Sequence, residues 1–183
     1  ALSVSRMTAN RAMRELTEAG LVKRHRGRGT FVAEQKILSA LFEVHDIAAE
    51  ITARSKQHHA RVIELVSACA TAEEAMRLGV ITQAPIFRST VLHYEDNLPL
   101  QLEQRIINAR LAPQYDQQDL SKHTAHRYLM QAAPMTEGEH LVEAVLATTA
   151  EAELLQIEST QPCMQIRRRT WAGKDIVSAT RLL

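Results

Sequence analysis

The apolar residues near the start of the chain recur at helical spacing and predict a helix over residues 5–19. Four of them fall at the i, i+3, i+4 and i+7 positions of one face, which we expect to be buried: Ala9, Ala12, Met13 and Leu16. Ser5 offers the side-chain oxygen of an N-cap residue, and Gly20 supplies a C-terminal stop. The opposite side of this helix is left to polar side chains.

Two short runs with β propensity follow the helix, at residues 21–25 and 30–33. Valine, phenylalanine and threonine favour strands, and the runs are separated by the sequence RGRG at residues 26–29. Its two glycines allow a tight turn with positive φ. The pattern therefore predicts a β-hairpin whose tip carries two arginines.

The remainder of the chain alternates between helical and strand patterns, which predicts an α+β fold around an antiparallel sheet. Thr71 and Glu74 have the spacing of a capping box at the start of one of these helices. The predicted helices lie at residues 46–56, 71–79, 126–132 and 150–157. The predicted strands lie at 59–70, 85–95, 98–108 and 139–149, followed by a hairpin over 162–183 that turns at 172–175.

Composition limits the class of protein. The chain has 183 residues, of which 45% are hydrophobic, so it is long enough to bury a core. No apolar run reaches membrane-spanning length and no export leader is legible, so we expect a cytoplasmic protein without a membrane partner. Cys69 and Cys163 lack the spacing of metal ligands, and we expect both side chains to be buried. We expect the protein to bind neither a metal ion nor a cofactor.

The net charge of +1 conceals two segments of opposite sign. Residues 1–36 contain eight Lys and Arg against three Asp and Glu, and the rest of the chain contains fourteen against eighteen. A basic end joined to a slightly acidic body indicates that a polyanion binds at one end only. We predict a basic module at residues 1–34, a linker at 35–41 and a second domain at 42–183.

The basic module has the residue types that duplex DNA requires. Arginine can form two hydrogen bonds with guanine, and asparagine can form two with adenine. Serine and threonine contact phosphates and so position the protein on the duplex. A helix carrying these side chains fits the major groove, and a glycine-rich hairpin tip can approach the backbone closely. The predicted DNA-binding residues are Ser5, Arg6, Thr8, Asn10, Arg11, Arg14, Arg26, Gly27, Arg28 and Gly29.

Residues 4–33, VSRMTANRAMRELTEAGLVKRHRGRGTFVA, resemble the recognition helix and wing of winged-helix repressors of the gluconate-repressor (GntR) type. The resemblance rests on the Ser-Arg opening, the Arg-Ala pair and the Gly-x-Gly-Thr-Phe-Val wing. It implies a winged helix-turn-helix that is only partial here, since the first helix and most of the second precede this stretch in the family. Asn10 stands where many such repressors carry arginine, which implies a different operator base.

The second domain resembles the UTRA effector-binding domain, whose fold is chorismate-lyase-like. Four stretches are similar to the histidine-utilisation repressor subgroup: residues 39–51, 98–108, 128–146 and 167–183. The resemblance implies a homodimeric repressor of histidine-utilisation genes that binds double-stranded operator DNA. It also implies urocanate, a small anion, as the effector that relieves repression.

The residues offer chemistry for such a ligand, which has a carboxylate, a planar apolar bridge and an imidazole. Strand alternation puts His93 on one face of its strand, and Glu103 and Arg105 on one face of the next. His93 and Glu103 are candidates for the imidazole, and the carboxylate falls to Arg105 or to one of the arginines at 167–169, which must alternate between faces. The predicted effector-binding residues are His93, Glu103, Arg105, Tyr128, Arg168 and Ser178.

Two alternatives remain open at this point. Other repressors with a UTRA domain respond to a sugar phosphate or a phosphonate, and the fold relatives of the domain include a lyase. No nucleophile elbow, phosphate loop, H-E-x-x-H motif or Cys/His dyad is legible in the chain, so we expect a regulator and not an enzyme.

Overall fold

The structure is a computed structural model, and it describes residues 6–18, 22–25, 29–32 and 45–183. The chain separates into two compact units, Ala1–Glu43 and Val44–Leu183. The linker predicted at 35–41 lies outside the described residues, so its boundaries stay a prediction. No helix of the described ranges is both long enough and apolar enough to cross a membrane.

The first unit contains the predicted helix and hairpin. Helix α1 spans Arg6–Glu18, and strands β1, Val22–His25, and β2, Gly29–Val32, pair antiparallel. Gly29 has φ 107°, which a residue with a side chain rarely adopts. The glycine is therefore needed where the chain enters the second strand of the hairpin.

The described side chains of the apolar face of α1 are exposed, so the expectation that they would be buried is wrong. Ala12 is exposed, and the exposed fractions of Met13 and Leu16 are 36% and 38%. An apolar helical face is buried only against a second packed element. In the described part of this unit the only other element is the short two-stranded hairpin.

The second unit is a six-stranded antiparallel sheet with helices on both faces. The α+β class and the antiparallel sheet agree with the prediction from the sequence. The helices are α2 Ile47–Ala53, α3 Ala72–Leu78, α4 Ala125–Ala132 and α5 Thr149–Leu155, with a 3₁₀ turn at Tyr115–Gln117. The strands are β3 His58–Cys69, β4 Pro85–Glu95, β5 Leu98–Asn108, β6 Glu137–Leu146, β7 Pro162–Ala172 and β8 Asp175–Leu182. Their order across the sheet is β3-β4-β5-β8-β7-β6, so β8 lies between β5 and β7.

Short polar motifs begin the helices. Thr71 and Glu74 form the predicted capping box of α3, and Thr148 and Glu151 form a second one at α5. Each box satisfies backbone N–H groups that the first helical turn leaves unpaired. These helices have seven residues each, and their ends are set locally even though their stability comes from packing on the sheet.

The two faces of the sheet carry separate cores. One face, here called the α4 face, packs against α4 and the 3₁₀ turn, and the other, the α3/α5 face, packs against α3 and α5. The α4-face core contains Phe87, Val91, Ile107, Tyr115, Leu129 and Val177. The cores of the opposite face contain Leu78, Ile86 and Ile106 under α3, and Leu92, Leu102 and Leu155 under α5.

The two cysteines do not lie in these cores as fully buried residues, so the expectation of burial is wrong. Cys69 is exposed and Cys163 is half-buried. Cys69 ends β3, an edge strand of the sheet, and Cys163 stands at the start of β7. Side chains in such positions lack neighbours on at least one side.

An ion pair attaches α3 to the sheet and generates a prediction about pH. Arg88 donates to both carboxylate oxygens of Glu74, over 2.5 and 2.7 Å, and lowers the pKa of Glu74 to about 2. A depressed carboxyl pKa stabilises the folded state above pH 4.5, and this contribution is lost as the pH falls from 4.5 to about 2.

We expect Glu74→Gln, which keeps the capping geometry, to lower the free energy of unfolding by about 1 kcal/mol at pH 7. The difference from the wild type should shrink as the pH falls towards 2. Urea denaturation at several pH values measures it. Glu73→Gln, an exposed neighbour in the same helical turn, is the control and should show no such pH dependence. A constant deficit for Glu74→Gln at all pH values would contradict the role of the charge.

Candidate ligand site and nucleic-acid interface

A group of buried polar side chains interrupts the apolar core of the α4 face. Neighbouring strands bring them together, since Arg105 lies opposite Ser89 on β4 and opposite Thr180 on β8, and Thr180 lies opposite Arg168 on β7. We call this group the polar cluster: Ser89, His93, Glu103, Arg105, Arg168, Thr170, Ser178 and Thr180. All eight are buried, so their hydrogen bonds and charges act in a medium of low dielectric.

Arg105 stands at the centre of the polar cluster. Its Nε donates to Glu103 Oε1 over 2.9 Å and its Nη1 donates to Ser178 Oγ over 3.1 Å, while the hydroxyls of Ser178 and Thr170 lie 2.9 Å apart. Burial acts to raise the pKa of the Glu103 carboxyl, but Arg105 and His93 outweigh burial and hold that pKa well below its usual range. The two groups therefore form a buried ion pair.

Arg168 is the second buried cation, and it is not neutralised in the same way. Its side chain is 9% exposed, and its Nε has no hydrogen-bond partner within the described residues. Burial, followed by the nearby charge of Arg105, lowers the pKa of Arg168 to about 10. Arg167 and Arg169 are more exposed and pair with Glu143 and Glu139, so only the middle arginine of the three is buried with the polar cluster.

His93 adds a buried ring nitrogen, Nε2, that has no hydrogen-bond partner in the described residues. It is 2% exposed, its Nδ1 lies 3.0 Å from His58 Nε2, and its Nε2 lies 3.8 Å from Glu103 Oε2, beyond hydrogen-bond distance. His126 of α4 also has a buried ring nitrogen, Nδ1, without a partner in the described ranges. Burial lowers the pKa of His58 and of His126, so both are neutral at pH 7.

Tyrosines close one side of the cluster. The hydroxyls of Ser89 and Tyr115 are hydrogen-bonded over 2.8 Å, and the rings of Tyr115 and Tyr128 lie 5.9 Å apart. The Tyr128 hydroxyl accepts a hydrogen bond from the Gln114 backbone N–H. Tyr128 thus reaches the polar cluster through Tyr115 and not through its own hydroxyl.

Sequence reasoning missed several members of this arrangement. Tyr115 lies in a polar stretch without periodicity, so no signal identified it. Thr170 and Thr180 had a signal, because strand alternation places them on the same face as Arg168 and Ser178. Strand alternation turns the adjacent His58 and His59 to opposite faces, and in the structure His58 contacts His93 while the His59 ring stacks on Tyr94.

The formal charges of the polar cluster do not cancel. Arg105 and Arg168 contribute two positive charges and Glu103 one negative charge. A buried cation without a partner is costly, and a carboxylate or phosphate oxygen can pair with it through charged hydrogen bonds. The arrangement can therefore bind one negative charge next to groups suited to a polar ring.

The predicted nucleic-acid interface is described only in part. Thr8 and Arg11 are exposed on α1, where Arg11 pairs with Glu15 over 2.9 Å, and Gly29 opens β2. The backbone of α1 also carries Arg6, Asn10 and Arg14, whose side chains lie outside the description. Ser5, Arg26, Gly27 and Arg28 also lie outside the described residues. The helix and the hairpin are present, and their contacts with DNA stay a prediction.

The buried pair generates a prediction about stability. Arg105→Met should lower the free energy of unfolding by about 3 kcal/mol, because Glu103 would stay buried without its hydrogen-bonded cation. Arg167→Met removes an arginine whose side chain is 58% exposed and should change the free energy by less than about 1 kcal/mol. Urea denaturation of both variants tests this. Equal effects would show that Glu103 does not depend on Arg105.

Both units of the chain are similar to known regulatory proteins. Residues 53–183 match the UTRA domain, and residues 1–32 match the bacterial regulatory proteins of the gntR family. A histidine utilization repressor from Pseudomonas aeruginosa is 54% identical over 182 residues, which span 100% of this chain and 73% of that protein. Such relatives are transcriptional repressors, so the expectation of a regulator and not an enzyme is confirmed.

Solved structures agree with the fold. The C-terminal domain of the histidine utilization repressor from Pseudomonas syringae pv. tomato matches with a TM-score of 0.67 and 44% identity, over 69% of this chain and 89% of that one. PhnF from Mycobacterium smegmatis matches with a TM-score of 0.71 and 22% identity, over 98% of this chain and 80% of that one. The chain belongs to the gntR family of bacterial transcriptional regulators, and its second unit is a UTRA domain.

Proposed function

We propose that this chain is part of a homodimeric cytoplasmic repressor of histidine-utilisation genes that leaves its operator when the polar cluster binds a small monoanion, urocanate. The observation that carries the proposal is the buried cation of Arg168, which has no hydrogen-bonded counter-charge in the described residues. The similarity to named histidine utilization repressors supports the choice of regulated genes.

The carboxylate of the effector pairs with Arg168. Arg105 already donates to Glu103 and Ser178, and its charge is paired with that of Glu103. Arg168 Nε has no such partner, and the buried hydroxyl of Thr180, which lies opposite Arg168 in the sheet, also lacks one within residues 45–183. A carboxylate would accept hydrogen bonds from both groups.

The imidazole of the effector binds near Glu103 and His93. Glu103 Oε1 is occupied by Arg105, and Oε2 lies 3.8 Å from His93 Nε2, which leaves this oxygen free to accept from a ring N–H. Val91 lies directly opposite Glu103 and supplies an apolar surface for a planar bridge. Tyr115, backed by Tyr128, closes the side of the cluster at Ser89.

Charge distinguishes urocanate from the alternative effector class. Arg105, Arg168 and Glu103 together carry one uncompensated positive charge, which a carboxylate neutralises. A sugar phosphate or phosphonate brings close to two negative charges at neutral pH and would leave one of them buried without a partner. The cluster therefore favours the monoanion.

The DNA half of the proposal rests on α1 and the hairpin. In a homodimer, two α1 helices enter successive major grooves of a pseudo-palindromic operator, while the hairpin tips contact phosphates or the minor groove. The proposed contacts are those predicted from the sequence, with Arg6, Thr8, Asn10 and Arg11 as the groove residues. Tenfold release requires that the effector favour the non-binding arrangement by about 1.4 kcal/mol.

Calorimetry tests the effector. Urocanate should bind the wild-type protein more tightly than histidine or glucosamine 6-phosphate does. Arg168→Gln should weaken urocanate binding about thirtyfold, because a charged hydrogen bond to the carboxylate is lost. Arg167→Gln, which changes the neighbouring arginine on the opposite face, should bind as the wild type does. Tighter binding of glucosamine 6-phosphate would replace urocanate by the sugar-phosphate class.

Gel retention of the full-length protein tests whether it binds the operator and whether the effector releases it. We expect retention of operator DNA at physiological salt and release on addition of urocanate. Asn10→Ala should weaken operator binding about tenfold and leave binding to random DNA unchanged, because asparagine reads a base edge. Asn97→Ala, at an exposed asparagine in the turn between β4 and β5 of the second unit, is the matched control and should bind the operator as the wild type does. Equal affinity for operator and random DNA would refute specific recognition.

A further inference from the structure

Four side chains form a continuous row of polar contacts across β3, β4 and β5. His58 Nε2 lies 3.0 Å from His93 Nδ1, and His93 Nε2 lies 3.8 Å from Glu103 Oε2. Glu103 Oε1 in turn accepts from Arg105 Nε. The outer member of the row, His58, is half-buried on the edge strand, and the other three are buried. The position of each proton in this row therefore depends on the neighbouring group.

The proton between the two histidines has two arrangements. If the proton of His93 lay on Nδ1 alone, the lone pair of Nε2 would point towards the ionised carboxylate of Glu103, and the two would repel each other in a buried site. If His58 donates through Nε2, His93 presents its Nε2–H to that carboxylate instead. The second arrangement is favoured because it places a positive hydrogen beside a negative oxygen.

We propose that His58 is a positioning residue for effector specificity, which donates from Nε2 to His93 Nδ1 and so keeps the His93 N–H directed at Glu103. Because His93 is then a donor, Glu103 is the acceptor at this end of the site, and a ligand must bring an N–H of its own. The proposal rests on the proposed function and deepens it: the site selects a monoanion that carries an N–H heterocycle.

His59 provides a matched control in the same strand. It follows His58 directly, so strand alternation turns it to the opposite face. Its ring stacks on Tyr94, with ring centroids 4.4 Å apart and an angle of 11° between the planes. Replacing His59 removes one imidazole from β3, as replacing His58 does, but it leaves the contact between His58 and His93 intact.

The first experiment measures the proton directly. Nitrogen-15 NMR of the ligand-free protein should show His93 with an unprotonated Nδ1 and a protonated Nε2. His58→Leu should give a mixture of both tautomers, and His58→Gln, whose side-chain amide can donate to Nδ1, should restore the single form. His59→Leu should leave the His93 signals unchanged. A protonated Nδ1 of His93 in the wild type would overturn the proposal.

The second experiment measures selectivity. Calorimetry compares urocanate with 3-(2-furyl)acrylate, an anion of similar shape whose ring has no N–H. The wild type should prefer urocanate by about tenfold, the worth of one hydrogen bond. His58→Leu should lose most of this preference, whereas His58→Gln and His59→Leu should keep it. A purely structural role for His58 would weaken both ligands equally and leave their ratio unchanged.

The outcomes separate this inference from the proposed function. If urocanate binds the wild type and the ratio of affinities is the same in His58→Leu, then His58 does not set specificity, although urocanate is the effector. If neither ligand binds the wild type, the proposed effector is wrong. The NMR result then still decides whether His58 controls the His93 tautomer.

Discussion

The buried ion pair of Glu103 and Arg105 is the constraint around which the UTRA domain is arranged. Two charges are removed from water in the middle of a sheet face, and such burial is tolerated only where further hydrogen bonds complete the pair. Ser178 accepts a hydrogen bond from Arg105, and the Ser178 hydroxyl is in turn hydrogen-bonded to the hydroxyl of Thr170. Strands β5, β8 and β7 must therefore be adjacent for the pair to be satisfied.

The same pair explains why the α4 face is divided into an apolar and a polar part. Phe87, Ile107 and Val177 pack beneath α4 at one end, where side chains can exclude water completely. Towards Glu103 the face becomes polar and gains a second cation, Arg168, without a second carboxylate. An apolar core covering this part would leave a charge unpaired, so the arrangement is suited to a ligand that supplies the missing acceptor.

The other face of the sheet uses polar contacts differently. Arg88 binds Glu74 of α3, and Arg181 contacts Glu151 of α5 together with Gln165 and Gln104 of neighbouring strands. These contacts involve complementary groups, so each cation has its own acceptors. They attach short helices to the sheet, whereas the polar cluster of the α4 face has donors left over. Arg88 and Arg181 have acceptors for their charges, which indicates a structural role. The polar cluster has donors without acceptors, which indicates a candidate ligand site.

Local patterns of the sequence were sufficient for the elements and for many site residues. Apolar spacing and capping motifs predicted the helices, and the alternation of the three arginines at 167–169 showed that they cannot all share a face. Alternation alone would have misjudged β8, however. A register shift opposite Thr170 leaves Val177 as an extra residue in β8, so that Ile176 packs on the α3/α5 face while Ser178 points to the polar cluster.

The sequence by itself determined the family, the elements and the residue types available for binding, because these follow from short-range spacing and recurring motifs. Only the tertiary structure decided that Arg168 is the buried arginine, that Tyr115 bonds Ser89, and that His58 contacts His93. It also showed that Met13 and Leu16 of α1 are exposed, although the sequence alone assigned them to a buried face. The physical reason is that burial and pairing depend on which distant strands become neighbours, and the insertion of β8 between β5 and β7 is a property of the whole sheet.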